Sequence, residues 1–272
     1  MSLDSIHSRR EFLALLAAAG ASSVAVQGAW AQQAMPLRRI PSTGEALPVI
    51  GLGSSKPVAE ISANGTDPIA AILRSLVEHG GRVVDTWPRN AANDAALGRV
   101  INLPDLHEKL FVTTKVSVAG PTGIAQLEES LRSYGRKTID LAQVFSMVDI
   151  DAHWPRLKEW KAAGRARYIG VTVAEYGLYD ALEKFLRREQ PDFVQMNYSI
   201  TERRAEERLL PLAQERGMAV LINRPFMNGD YFKRLSSKPL PGWAGEAGIQ
   251  SWAEFSLKYI CLLYTSPSPR DS

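Results

Sequence analysis

Cysteine is almost absent from this 272-residue chain: Cys261 is the only one. One thiol excludes an internal disulfide framework and a CxxC metal site, and its place near the C-terminus excludes a cysteine nucleophile embedded in a core. Histidine is nearly as scarce. His7, His79, His107 and His153 are too far apart for the paired histidines of a zincin helix, so no metal is expected unless its ligands come from scattered loops. No basic cluster is interleaved with aromatic residues, and 32 Lys and Arg against 29 Asp and Glu leave a net charge of only +3. Nucleic acid is therefore not an expected partner. A GxGxxG turn is also missing. The GLG of VIGLGS is too short to serve as one, which argues against an open dinucleotide-binding sheet.

What is present is an ordinary globular composition, 45% hydrophobic and 22% charged, at a length that suits one large domain or two small ones. The first segment stands apart. Arg9-Arg10 is followed by Phe12-Leu13, a modest run rich in Ala, Gly and Ser, and Ala29-Trp30-Ala31. A charged start, an apolar middle and a small-x-small triplet are the parts of a twin-arginine (Tat) export signal. The alternatives are an amphipathic first helix or a membrane anchor, but the run is short for a span. Residues 1–31 are thus expected to be a signal cleaved after Ala31. The Tat machinery would be a partner, the bacterial periplasm the destination, and no stable membrane span would remain after cleavage.

From residue 32 the pattern becomes regular. LRRI and LPVI flank the turn residues PSTGEA and read as a β-hairpin. Short, nearly continuous apolar runs then alternate with stretches of helical spacing: VIGLGS before PIAAILRSLVEHGG, GRVVDTW before NDAALGRVI, KLFVTTKV before TGIAQLEESLRSYG, and IDLAQVFSMV before WPRLKEWKAAG. RYIGVTV precedes GLYDALEKFLRRE, DFVQMNYS precedes RRAEERLLPLAQERG, and MAVLINRPF precedes IQSWAEFSLKYI. Strands of this kind belong to parallel sheets buried on both faces. The predicted fold is α/β, a TIM (β/α)8 barrel with an N-terminal hairpin and its last βα unit missing, spanning residues 32–260. The tail CLLYTSPSPRDS fits none of this. Reverse translation of CLLYTSPSPRD matches a transposase sequencing adapter, so residues 261–272 are expected to be adapter translated onto a truncated gene. A natural Ser/Pro-rich tail is the other reading.

In such a barrel chemistry sits where strands end. The polar residues there are Asp85, Lys115, Thr172, Gln195, Asn197, Asn223 and Arg224. Lysine is rarely buried unpaired, so Lys115 needs a partner, and Asp85 ends the neighbouring strand. The pair is either a site that orients a reacting group or a rim salt bridge. Trp87-Pro88-Arg89 is a candidate pocket lining. RARY belongs to the bottom of the barrel, and PLPGWAGEAG is long enough for a lid.

The hairpin with VIGLGS, then DTWPRNAANDAALG, TTKV, IDLAQVFSMVD, GRARYIGVT, VQMNYS and INRPF resemble, in order and spacing, the motifs of the aldo/keto reductases. The resemblance covers nearly all of residues 37–260. It implies a barrel that binds NADPH, usually without metal, with NAD not excluded, and passes hydride to a small-molecule carbonyl compound. A tyrosine gives the proton, a lysine paired to an aspartate tunes that tyrosine, and a histidine orients the carbonyl. Asp85 and Lys115 match the aspartate and lysine. The tyrosine position falls on Asn90 and the histidine position on Phe145. Thr172, Gln195 and Asn197 would contact the carboxamide of the nicotinamide, with Asn223 and Arg224 beside the cofactor. Tyr176 is a further phenol near the fifth strand. The departures imply slow reduction through a rewired acid, or a catalytically silent barrel that binds a nucleotide or other small molecule.

Overall fold

The computed structural model describes residues 35–263 apart from residue 55. The expected signal, residues 1–31, lies outside the described residues, as do residues 264–272 of the expected foreign tail. β1 (Leu37–Arg39) and β2 (Ala46–Pro48) form the antiparallel hairpin. β3 (Gly51–Leu52), β4 (Val83–Asp85), β5 (Phe111–Val116), β6 (Ile139–Phe145), β7 (Ala166–Val173), β8 (Phe193–Asn197) and β9 (Ala219–Asn223) follow in one seven-stranded sheet whose spatial order is their chain order. With parallel pairing and helices between strands, the fold is the TIM-barrel type expected from the sequence. The main helices are α1 (Asp67–Glu78), α2 (Ala91–Ile101), α3 (Pro121–Ser133), α4 (Ile150–Ala162), α5 (Tyr179–Arg188), α6 (Leu209–Glu215), α7 (Asp230–Leu235) and α8 (Trp252–Leu263).

The chain separates into two compact units. Among the described residues, the larger comprises everything to Met196 together with Arg208–Leu221. Its core lies at the strands' N-terminal ends. There Ile40 and Leu47 of the hairpin segment pack with Val83, Phe111, Leu141, Tyr168 and Phe193. The Tyr168 ring meets Phe193 edge-on at 5.5 Å. Glu45 accepts from the Tyr168 hydroxyl at 2.6 Å and pairs with Arg167, which also reaches Asp140 at 2.7 Å. Asp140 in turn accepts from Val112 N at 2.7 Å. The RARY segment therefore ties the hairpin to the sheet, as its expected place at the bottom requires. The smaller unit comprises Asn197–Glu207 and the described part of the chain from Ile222. An aromatic cluster builds it, with Phe226 stacked 4.8 Å from Phe232 and Trp252 5.3 Å from Phe255.

Three expectations need correction. RRAEERLLPLAQERG is not one helix: a 3-10 segment (Arg204–Glu207) ends at Arg208 (φ −143°), and α6 begins at Leu209. Pro211 explains the break, because its ring excludes the carbonyl four residues back, that of Glu207. α4 starts at Ile150 rather than at Trp154 and runs through Pro155 in its second turn, where the missing N–H leaves the Asp151 carbonyl without its usual helical donor. The PLPGWAGEAG stretch is a folded 3-10 segment (Gly242–Ala247), with Trp243 5.7 Å from Phe255 of α8, rather than an open loop. α8 itself continues through Cys261 to Leu263.

Candidate functional site

Sheet register lines up the polar strand ends of the larger unit. Asp85 is the partner of Thr113, Lys115 of Gln143, and Thr172 of both Phe145 and Gln195. Lys115 is only 5% exposed, so its charge has little access to water. It donates to Asp85 Oδ1 at 2.5 Å and to the carbonyl of Thr86 at 2.9 Å. Asp85 is satisfied on both oxygens. Thr113 Oγ1 donates to Oδ1 at 2.6 Å and Gln195 Nε2 to Oδ2 at 2.8 Å. Gln143 Nε2 then donates to Gln195 Oε1 at 2.9 Å. A charged pair taken out of water is costly unless further hydrogen bonds surround it, and these do, the row of bonds ending at Gln143, whose Oε1 is buried without a partner. This is more than a rim salt bridge: it is a buried network of five side chains. Three of its members, Asp85, Lys115 and Gln195, were visible in the sequence. Thr113 and Gln143 were not, although a polar residue inside an apolar strand is the signal that finds them.

The other two expected catalytic positions do different work. Asn90 has an extended backbone, and its side chain accepts from Asn93 N at 3.0 Å, capping α2. Phe145 packs against Trp87 with ring centroids 5.1 Å apart. Arg89 lies over the other partner of that stack, 4.6 Å from the Trp87 ring centre. Its backbone N–H donates to both oxygens of Asp94, at 3.2 and 3.3 Å. Burial holds the Asp94 carboxyl above the usual carboxylate range, with the Arg89 contacts opposing.

Tyr134 places a phenol near the network through a 3.3 Å contact with Thr86 Oγ1. It is fully buried, and burial pushes its pKa up to about 12. A group that holds its proton so tightly is a poor acid at neutral pH. Tyr176 packs edge-on against Tyr179 at 5.2 Å, in a 3-10 turn before α5.

Thr172 and Gln195 are buried neighbours across β7 and β8. Hydroxyl and carboxamide groups suit a neutral hydrogen-bonding ligand such as a carboxamide. In the smaller unit, Asn197 is buried, and the carbonyl of Asn223 accepts from Tyr198 N at 3.2 Å. Arg224 is exposed with φ +54°, in the left-handed region that few non-glycine residues occupy. Among the described residues, no group of three His, Cys, Asp or Glu is arranged to hold a metal ion, and no helix is long and apolar enough to cross a membrane.

Comparison with known proteins gives a consistent result. The family model for the aldo/keto reductase family matches residues 49–242. The NADH-specific methylglyoxal reductase of Escherichia coli (strain K12) is 30% identical over 107 residues, 39% of this chain and 32% of that protein. The aldo-keto reductase YhdN of Bacillus subtilis (strain 168) is 24% identical over 206 residues, 69% of this chain and 61% of that protein. The chain thus spans 32% and 61% of the length of these two curated relatives. Among solved structures, the holo form of aldo-keto reductase AKR11C1 from Bacillus halodurans is 24% identical with a TM-score of 0.60, covering 87% of this chain and 78% of that one. An aldo-keto reductase from Klebsiella pneumoniae in complex with NADPH is 20% identical with a TM-score of 0.64, covering 88% and 93%. At these identities the solved structures speak for the fold.

Proposed function

The chain belongs to the aldo/keto reductase family, and on that premise we propose that it is an oxidoreductase that binds NADPH and reduces the carbonyl group of a small molecule, with Lys115 as proton donor. The observation that carries this reading is the buried Lys115–Asp85 pair, fixed at 2.5 Å and braced by Thr113 and Gln195. Nicotinamide nucleotide, when bound, supplies the hydride. NADPH is the first choice because the Klebsiella neighbour is in complex with it. NADH is the alternative, since the Escherichia coli relative is NADH-specific. Thr172 and Gln195 of the larger unit would hold its carboxamide.

The residues' own part in the reaction follows from their donors. As a carbonyl carbon becomes tetrahedral, its oxygen gathers negative charge and needs a proton. Lys115 has three N–H bonds, and two of them go to Asp85 and to the Thr86 carbonyl. The third is left for the substrate oxygen. Asp85 and the Thr86 carbonyl fix the direction of the ammonium, so no orienting histidine is needed to aim it. Asn90 cannot release a proton at neutral pH, and Phe145 carries none. An acid–base group contributes about 10²–10⁴ in rate, so slow turnover is expected.

A second reading, a barrel that binds nucleotide or another small ligand without reducing anything, is favoured by the same two residues, since Asn90 caps a helix and Phe145 packs an aromatic face. Both readings are tested by adding NADPH, then an aromatic aldehyde, and following nucleotide fluorescence. Enhancement followed by decay selects the reductase. Enhancement without decay selects the silent barrel.

Export by the Tat route to the bacterial periplasm is also proposed, supported by Arg9-Arg10 and the Ala29-Trp30-Ala31 triplet. Replacing both arginines by lysine should hold the protein in the cytoplasm of an expressing bacterium. Export that continues unchanged would refute the assignment.

A further inference from the structure

The loop after β4 carries a cation that pairs with no carboxylate among the described residues. Arg89 follows Asp85 by four residues in that loop and is exposed. Its guanidinium donates to Ser54 Oγ at 3.1 Å, makes a longer contact of 3.4 Å with the Ser54 carbonyl, and lies 4.6 Å from the centre of the Trp87 ring. Among the described residues no carboxylate forms an ion pair with it. Asp94 is engaged by the Arg89 backbone instead. Many arginines of the larger unit are placed otherwise: Arg74, Arg132, Arg156, Arg165, Arg167 and Arg187 each reach a carboxylate within 3.0 Å. Packing around Arg89 also lowers its pKa, with Asp94 and Tyr134 opposing.

A second donor lies beside it. Trp87 Nε1 is buried and makes no hydrogen bond, an unusual and costly condition for an indole N–H. The Trp87 ring packs at 51° against Phe145, at the position where the resemblance puts the family's histidine. Two packed aromatic rings, a planar cationic fork and an N–H without a partner among the described residues together complement a flat anion. A carboxylate fits that description, because the guanidinium can grip it through two parallel hydrogen bonds.

We infer that Trp87 and Arg89 are the anion-binding arm of the substrate site, so that the preferred substrates are carbonyl compounds that also carry a carboxylate. The carbonyl half of this statement rests on the proposed reductase function. The anion half stands on the loop itself. Arg89 is a specificity-determining residue in this account, with no part in proton transfer.

The test uses two ligands that do not react, so turnover is irrelevant. Benzoate and benzamide have nearly the same shape and differ in charge. Titration calorimetry on the full chain should show benzoate binding about tenfold or more tightly than benzamide. Arg89→Met should reduce that difference to about twofold or less while benzamide affinity holds, and Arg89→Lys should restore part of it. Trp87→Phe keeps the ring and deletes the N–H, and should weaken benzoate more than benzamide. Equal affinity of the unmodified chain for the two ligands would overturn the inference, and that comparison does not depend on any variant folding. A preference that survives Arg89→Met would overturn it as well. So would an Arg89→Met chain that loses affinity for ADP but keeps its benzoate preference, since the guanidinium would then serve nucleotide phosphate. A chain that prefers benzoate yet never oxidises NADPH keeps this inference and loses the reductase reading.

Discussion

Lys115 and Asp85 were legible because each is a charged residue closing an apolar strand, and a charge in that place must be paired or used. Their bracing was harder to see. Thr113 and Gln143 sit within strands whose other members are hydrophobic, and nothing local distinguishes a polar residue that faces a network from one that faces a helix. Asn90 shows the opposite case. Its place in the family motif suggested chemistry, but its position before a helix gave an equally good cap, and the cap is what the structure contains. Asn90→Ala should therefore cost about 1 kcal/mol of stability, read by urea denaturation, and change the NADPH oxidation rate little. A large rate loss in a stably folded Asn90→Ala would put the residue back in the reaction.

Tyr134 gives a pH-dependence with a definite sign. Its phenol is raised from the usual 10.0 to about 12 by burial. A raised folded-state value means that the stability it contributes is fully present below pH 10 and is lost as pH climbs through about 12. Tyr134→Phe should flatten that alkaline limb in a chemical-denaturation series. An unchanged limb would assign the alkaline loss to other groups.

Among the elements, most boundaries followed from periodicity and punctuation, and the misses have identifiable causes. Pro211 cut one helix in two because a ring clash four residues back outranks a good apolar pattern. The 239–248 stretch looked like a loop because Gly and Pro dominate it, yet Trp243 anchors it to α8. Gly98 is an element-scale feature that the family motif contains without explaining. A methyl there would come within 2.0 Å of the Ser133 carbonyl at the end of α3, so α2 and α3 meet backbone to backbone. Gly98→Ala should lower stability by about 1–3 kcal/mol and shift the melting temperature down in a thermal scan. A neutral effect would mean that the helices separate freely. At the opposite end of the strands, Glu45 accepts from Tyr168 and pairs with Arg167. Glu45→Ala should loosen the hairpin and speed amide exchange at Ile40, whose N–H donates to the carbonyl of residue 45 at 2.8 Å.

At the scale of the whole molecule, the order of β and α segments was enough to name the architecture, because alternating buried strands and amphipathic helices leave few ways to cover a parallel sheet. The division into two compact units was not legible. It depends on which distant segments pack together, as when Arg208–Leu221 joins the larger unit while the residues on either side belong to the smaller. Nucleotide binding acts on the molecule as a whole. A ligand present at 100 times its dissociation constant adds about 2.7 kcal/mol to the folded state, so NADPH should raise the melting temperature measurably, and ADP-ribose without the nicotinamide should raise it less.

The proposed proton donor is Lys115, held by Asp85, in place of Asn90 and Phe145. That role is tested most directly by the rate of NADPH oxidation with an aromatic aldehyde in the full chain and in Lys115→Met, each confirmed to bind NADPH by fluorescence. The expected result is slow but measurable oxidation that falls by about 10²–10⁴ in the variant while nucleotide binding is retained. Oxidation at the same rate in Lys115→Met, with NADPH still bound, would contradict it.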